Sequence, residues 1–198
     1  VMAVTGGRTV ALTAEAISVA APMDLTVVPA QGGMGGGVST QANTVAERFA
    51  QKLGGYYRFL HLPDGLSGAA ADELARLPQV REPLELVRHA DVFLYGIGRA
   101  MELAQRRGLS ASERDRLAQE GAVAEALGFY INAQGRVVGG GSSLAIRPED
   151  IGRKNRAAAV AAGRAKAEAI LAVCAHHPHK LLVADEGAAL RMMELLRA

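Results

Sequence analysis

Three short stretches of this chain have residue types and spacings suited to holding an anion. The first is Val4-Thr5-Gly6-Gly7-Arg8-Thr9-Val10. Gly6 and Gly7 carry no Cβ and can take positive φ, so an oxyanion can approach the backbone closely. Thr9 sits where a helix N-cap belongs, its hydroxyl beside the free N–H groups of a first turn. Arg8 can add a charge-assisted hydrogen bond. That chemistry is a phosphate cradle. The plain alternative is an ordinary strand-to-helix turn, which Gly-rich stretches often make. The second stretch is Ala30-Gln31-Gly32-Gly33-Met34-Gly35-Gly36-Gly37, with Ser39 or Thr40 placed to cap the helix that follows. The third is Gly163 with Lys166 at a helix start. A cation there opposes the helix dipole, so an anionic ligand or an acidic partner would account for it; a solvated helix lysine is the plain reading.

Other candidates are weaker. Glu125 is a lone carboxylate in Ala122-Val-Ala-Glu-Ala-Leu127. Buried, it would need a partner; on a helix surface it would need none. Arg106-Arg107 before Gly108 suits a helix C-terminus as well as an anion. His176, His177 and His179 share a loop but lack the spacing of a metal site. No Ser-His-Asp arrangement is readable, so no catalytic residue and no metal ligand is assigned.

The elements that would position these residues alternate. Apolar runs at Val1–Val4, Leu25–Pro29, Tyr56–Leu62, Asp91–Gly96, Ala157–Ala161 and Leu181–Asp185 read as strands. Helical patterns separate them at 10–20, 42–53, 99–107 and 186–197, with two short helices split by Pro78 and Pro83 and another capped by Ser112. Ala42, Val45, Phe49 and Leu53 share one helical face. Gly54-Gly55 ends that helix, and Gly96-Ile97-Gly98 reads as a further strand-to-helix turn. Phe129–Val138 reads as a β-hairpin turning near Asn132 to Gly135. Alternation of this kind predicts a parallel sheet with helices on both faces. Ligands then sit outside the carboxyl ends of the strands, where both early Gly-rich loops fall.

Composition agrees with a single α/β domain. In 198 residues, 49% are hydrophobic and 21% charged, which excludes disorder. Aromatics make up 4%, with no Trp, against a base-stacking platform. A net charge of +2 does not announce a nucleic-acid surface. The single cysteine, Cys174, reads as a buried filler and suits a reducing cytoplasm. No apolar run is long enough for a membrane span, and no signal peptide is readable. The chain opens at Val1 inside a strand, as expected of a fragment cut from a longer protein.

The combined pattern resembles the effector-binding domain of SorC/DeoR-type bacterial transcriptional regulators, most closely the members that control glycolytic genes. The matching stretches include Val4-Thr-Gly-Gly-x-Thr9, Val28-Pro-Ala-x-Gly-Gly33, Gln41-Ala-Asn-Thr44, Ala104-Gln-Arg-Arg107, Phe129-Tyr-x-Asn-Ala133, Lys166-Ala-Glu-Ala-Ile170 and Asp185-Glu-Gly-Ala-Ala189. The resemblance implies a Rossmann-like α/β fold, with a mainly parallel sheet, helices on both faces and a small β-hairpin insertion. That fold is related to phosphosugar isomerases of the glucosamine-phosphate and ribose-phosphate type. It implies one phosphosugar effector-binding domain over residues 1–198, preceded in the whole protein by a helix-turn-helix domain that would alone contact operator DNA. The implied protein is a cytoplasmic repressor, dimeric or tetrameric, without cofactor or membrane contact. Its effector would be a phosphorylated sugar such as fructose 1,6-bisphosphate. A phosphosugar isomerase-like enzyme is the alternative, with Glu125 and Lys166 moving protons.

Implied ligand contacts are Gly6, Gly7 and Thr9 in a phosphate turn, with Gly32 and Gly163 in the other loops. Gln41 would be a polar contact, Arg106 a phosphate-binding arginine, Glu125 an acceptor for sugar hydroxyls and Lys166 a cation near the sugar. Two positions depart from the family pattern. Arg8 replaces a second Thr, and Gln31 replaces an Arg.

Overall fold

The structure, a computed structural model, describes residues 1–198 apart from 34–36, 64, 65, 67, 141–143, 145, 152–155, 177–180 and 198, and apart from the side chains of 148, 149 and 176. Strand β1 (Met2–Val4) feeds helix α1 (Arg8–Ala16), which returns the chain to β2 (Thr26–Pro29). Helix α2 (Ala42–Leu53) leads to β3 (Tyr56–Tyr57). Helices α3 (Gly68–Arg76) and α4 (Pro78–Arg88) precede β4 (Val92–Gly96). Next come β5 (Gly98–Arg99), α5 (Ala100–Arg106), α6 (Ala111–Gln119), β6 (Ala122–Ala126), β7 (Phe129–Asn132) and β8 (Val137–Gly140). Then follow α7 (Pro148–Ile151), β9 (Ala157–Ala161), α8 (Ala167–His176), β10 (Leu181–Ala184) and α9 (Glu186–Arg197).

Six strands form a parallel sheet in the order β10-β9-β4-β1-β2-β3. Both faces are covered, so the strands are short apolar runs rather than alternating ones. Successive residues still point to opposite sides. Val4, Val27, Leu94 and Val160 enter one core, with Val10 and Ala14 of α1 and Val45, Phe49 and Leu53 of α2. Ala3, Val28, Phe93, Tyr95 and Ala159 enter the other, with Leu84 and Val87 of α4 and Ile170 and Val173 of α8. Cys174, expected as a buried filler, is only partly covered; burial still pushes its thiol above the ordinary value.

The hairpin expected at 129–138 is present as β7 and β8, inside a larger four-stranded antiparallel sheet, β5-β6-β7-β8. Gly96-Ile97-Gly98 is therefore more than a strand-to-helix turn. It hands the chain from the large sheet to the small one, where Gly98 pairs with Glu125.

Several local expectations are corrected. The third strand was expected over seven residues, yet β3 has two. Arg58 N still donates to Val27 O at 3.0 Å, but the side-chain amide of Asn43 then captures Leu60. Asn43 Nδ2 donates to Leu60 O at 3.1 Å, and Leu60 N donates to Asn43 Oδ1 at 3.0 Å. A helix side chain thus takes over the ladder. Pro83 does not split α4; it is buried within the helix, which starts at Pro78. Ser110, not Ser112, caps α6, because Glu113 completes a capping box with it. Ser39 and Thr40 lie in a 3-10 turn, Val38–Thr40, and the N-cap of α2 is Gln41, without a side-chain cap bond. The N-cap of α1 is Gly7, so Thr9 sits one residue inside the helix. His177 and His179 lie outside the described residues.

Candidate anion-binding site

From β1 the chain steps outward through β2 to β3, and from β4 it steps the other way through β9 to β10. β1 and β4 are neighbours, so their connections diverge and open a crevice beyond their carboxyl ends. A cavity of about 330 Å³ lies there. Its walls come from Thr5 to Val10 after β1, Gln31 after β2, Ile97 to Arg99 after β4, one face of α5, the β6–β7 turn, and Lys166 after β9.

The first loop is fixed from below. Thr5 N donates to Leu94 O at 3.0 Å, and Thr5 Oγ1 accepts from Gly96 N at 3.2 Å, tying the ends of β1 and β4 together. Gly7 N donates to Thr40 O at 2.9 Å. Gly6 lies so close to the chain before α2 that a Cβ would sit 2.6 Å from Thr40 O and 2.9 Å from Ala42 N. Both obstacles are backbone. Gly6→Ala is therefore expected to lower stability by about 1–3 kcal/mol, read as a fall in melting temperature. Gly37→Ala, with open space around its Cβ, is the neutral control.

Gly7 has φ 108°, a conformation that favours glycine, and it turns the chain into α1. Intrahelical bonding starts with Ala11 N donating to Gly7 O at 2.9 Å. The N–H groups of Arg8, Thr9 and Val10 therefore have no acceptor within the helix, and they carry its positive end. Lys166 reaches the same place: its Nζ is 3.4 Å from Thr9 Oγ1. Burial holds its ammonium below the ordinary lysine value. Glu102 supports the charge, Arg106 and Arg8 oppose it, and Asp185 adds support.

Glu125 is 5% exposed and lies on a strand, not on a helix surface. Its Oε1 accepts from Gly128 N at 2.5 Å and from Arg107 Nη2 at 3.0 Å. The buried carboxylate thus has its partner behind the cavity wall, in the arginine next to the one singled out. Between them, Leu127 takes φ 59° in a two-residue turn and presents a buried side chain to the cavity.

Gly6, Gly7, Arg8, Thr9, Gln31, Arg106, Glu125 and Lys166 thus share one cavity wall. Gly32, Gln41 and Gly163 are not part of it. Gln41 Oε1 points toward Gly33. Gly163 N donates to both carboxylate oxygens of Asp185 at 3.0 Å, and Asp185 also accepts from Ala188 N at 2.9 Å. Asp185 thereby caps α9 and clamps the loop that carries Lys166. The sequence reading missed Glu102, Arg99 and Leu127. Only the capture of Gly98-Arg99 by the second sheet brings α5 and the β6–β7 turn to the cavity, and no local signal announces that.

Arg8, Arg99, Arg106 and Lys166 face Glu102 and Glu125 in this wall, and Glu125 is matched from behind by Arg107. The cavity is therefore positive and suits an anion. A larger hollow, about 830 Å³, lies at the opposite, amino ends of β1 and β4. Its walls are chiefly apolar, with Asp91 as its one carboxylate among the described residues. The convergent polar groups are at the carboxyl ends, where the chemistry is placed. Among the described residues no cluster of three or more His, Cys, Asp or Glu could hold a metal ion, and no helix is long and apolar enough to cross a membrane.

Fold and site together define a sugar-binding domain of the kind found in SorC/DeoR-type regulators. Residues 1–194 match the family described as "Putative sugar-binding domain", and the chain belongs to that family. It is 38% identical over 190 residues to the central glycolytic genes regulator of Priestia megaterium, covering 95% of this chain and 55% of that protein. It is 38% identical over 194 residues to the one of Bacillus subtilis, covering 98% and 57%. The chain thus spans little more than half the length of these relatives. The crystal structure of the "putative SorC family transcriptional regulator from Enterococcus faecalis" is 35% identical, with a TM-score of 0.89 over 97% of this chain and 79% of that one. These relatives are named transcriptional regulators, not enzymes.

Proposed function

We propose that this domain is the effector-binding part of a bacterial repressor of glycolytic genes, and that a phosphorylated sugar in its cavity modulates DNA binding by the whole protein. One observation carries the reading. The amino end of α1, Thr9 and Lys166 meet at one end of a positive cavity at the switch point of the sheet. The N–H groups of that helix end and the Lys166 ammonium suit a phosphate. Arg106 and Arg8 supply further charge at the mouth. Fructose 1,6-bisphosphate is the effector we favour, with Arg8 holding the second phosphate in place of the arginine that Gln31 replaces. DNA contact belongs to a helix-turn-helix domain elsewhere in the whole protein, which acts in the cytoplasm as a dimer or tetramer.

Calorimetry on the 198-residue chain tests this with fructose 1,6-bisphosphate, fructose 6-phosphate and free fructose. Both phosphorylated sugars bind and free fructose does not. The bisphosphate binds more tightly, and Arg8→Thr removes about tenfold of that preference, the worth of one charge-assisted hydrogen bond. Equal binding of free and phosphorylated fructose refutes the phosphate site. Prolonged incubation followed by NMR shows no isomer of either phosphosugar; protein-dependent conversion would establish an isomerase instead.

A further inference from the structure

The cavity holds one carboxylate for which the phosphosugar reading has no role. Glu102 stands in the first turn of α5, one helical turn before Arg106, and its Oε1 accepts from Arg106 Nη2 at 2.9 Å. The i,i+4 spacing puts both on one helix face, and that face lines the cavity. The two side chains are 47% and 56% exposed, so a ligand can reach both. Glu102 also supports the charge of Lys166 across the cavity. The other carboxylate of the wall, Glu125, has Oε1 engaged by Gly128 and Arg107.

An ionised carboxylate accepts hydrogen bonds and donates none. Beside Arg106 and Lys166 it opposes every anion that enters. Inorganic phosphate at neutral pH can answer that opposition only with its own P–OH, on the same phosphorus that the cations hold. A sugar phosphate can turn hydroxyl donors toward the same oxygens. Resting on the reading of this cavity as a phosphosugar site, we propose that Glu102 is a specificity-determining residue, which excludes inorganic phosphate and admits sugar phosphates by accepting from a sugar hydroxyl.

Calorimetry with inorganic phosphate and with fructose 6-phosphate, on the native chain and on Glu102→Gln, tests the proposal. The substitution keeps size and removes the charge. Inorganic phosphate tightens by about fivefold, the most that a half-exposed ion pair is worth. Fructose 6-phosphate does not tighten, so the preference for the sugar phosphate falls by at least that factor. If both ligands tighten equally, Glu102 is only a counter-ion and the proposal is overturned. It is also overturned if neither affinity moves, since Glu102 then serves only the helix. If the native chain binds no phosphosugar, the phosphosugar reading itself has failed, which this pair of measurements separates from a failure of Glu102.

Discussion

Lys166→Met is expected to leave the ligand-free domain as stable as the native one or more so, while removing most of its affinity for phosphosugars. The methionine keeps the length of the side chain and drops a charge that burial, Arg106 and Arg8 all disfavour. With ligand present the sign is expected to reverse, because in the proposed site the ammonium beside Thr9 is a charge-assisted donor to the phosphate. Losing it costs about 1.5–3 kcal/mol, roughly tenfold to hundredfold in affinity. The pH dependence follows from the same group. Its value in the folded chain lies below the ordinary 10.5. The charged lysine therefore penalises the native state fully at pH below the folded value, and the penalty fades as pH rises through that value toward 10.5. The native ligand-free domain gains stability over that alkaline window relative to Lys166→Met. The ligand's own increment shrinks over the same window as the ammonium deprotonates. Melting curves from neutral to alkaline pH, with and without fructose 1,6-bisphosphate, read both trends. A ligand-induced shift unaffected by Lys166→Met would remove the lysine from the site.

Glu125→Ala is expected to act on stability before it acts on binding. The substitution leaves the guanidinium of Arg107, 11% exposed, without this carboxylate, and takes the acceptor from Gly128 N. Breaking a buried pair in this way costs about 3–5 kcal/mol. For a chain of this length that is about 10 °C in melting temperature. Glu125→Leu combined with Arg107→Leu is expected to recover part of the loss, because an apolar pair carries no desolvated charge. If Glu125 served the ligand alone, Glu125→Ala would weaken phosphosugar binding at an unchanged melting temperature. Double-mutant denaturation curves decide between the two.

The alternation of apolar runs with 3.6-periodic stretches was readable because it is local. Val4, Val27 and Leu94 are apolar since both faces of a parallel sheet are buried, and the helical spacing of Val45, Phe49 and Leu53 follows from packing on one of those faces. The two early Gly-rich loops were legible as carboxyl-end loops for the same reason. Element ends were less legible, because they depend on competition between neighbours. Glu113 selects Ser110 over Ser112 as a cap. Asn43 ends β3 by taking the hydrogen bonds of Leu60, seventeen residues away.

By itself, then, the sequence determined the alternating elements, the loops at the carboxyl ends and the presence of Arg8, Thr9, Arg106 and Lys166 as candidate anion ligands. Only the tertiary structure decided which of these meet. The reversal of strand order between β1 and β4 opens the crevice, and strand order is a property of chain crossing that no local pattern encodes. The pairing of Gly98 with Glu125 swings α5 into the wall, which brings the Glu102–Arg106 pair of that helix to Lys166 and puts Arg107 behind Glu125. Gly163 N is held by Asp185, the cap of α9, twenty-two residues later in the chain. Charge and conformational freedom are written residue by residue. Whether a given N–H, ammonium or carboxylate faces a ligand or another part of the chain depends on partners distant in sequence.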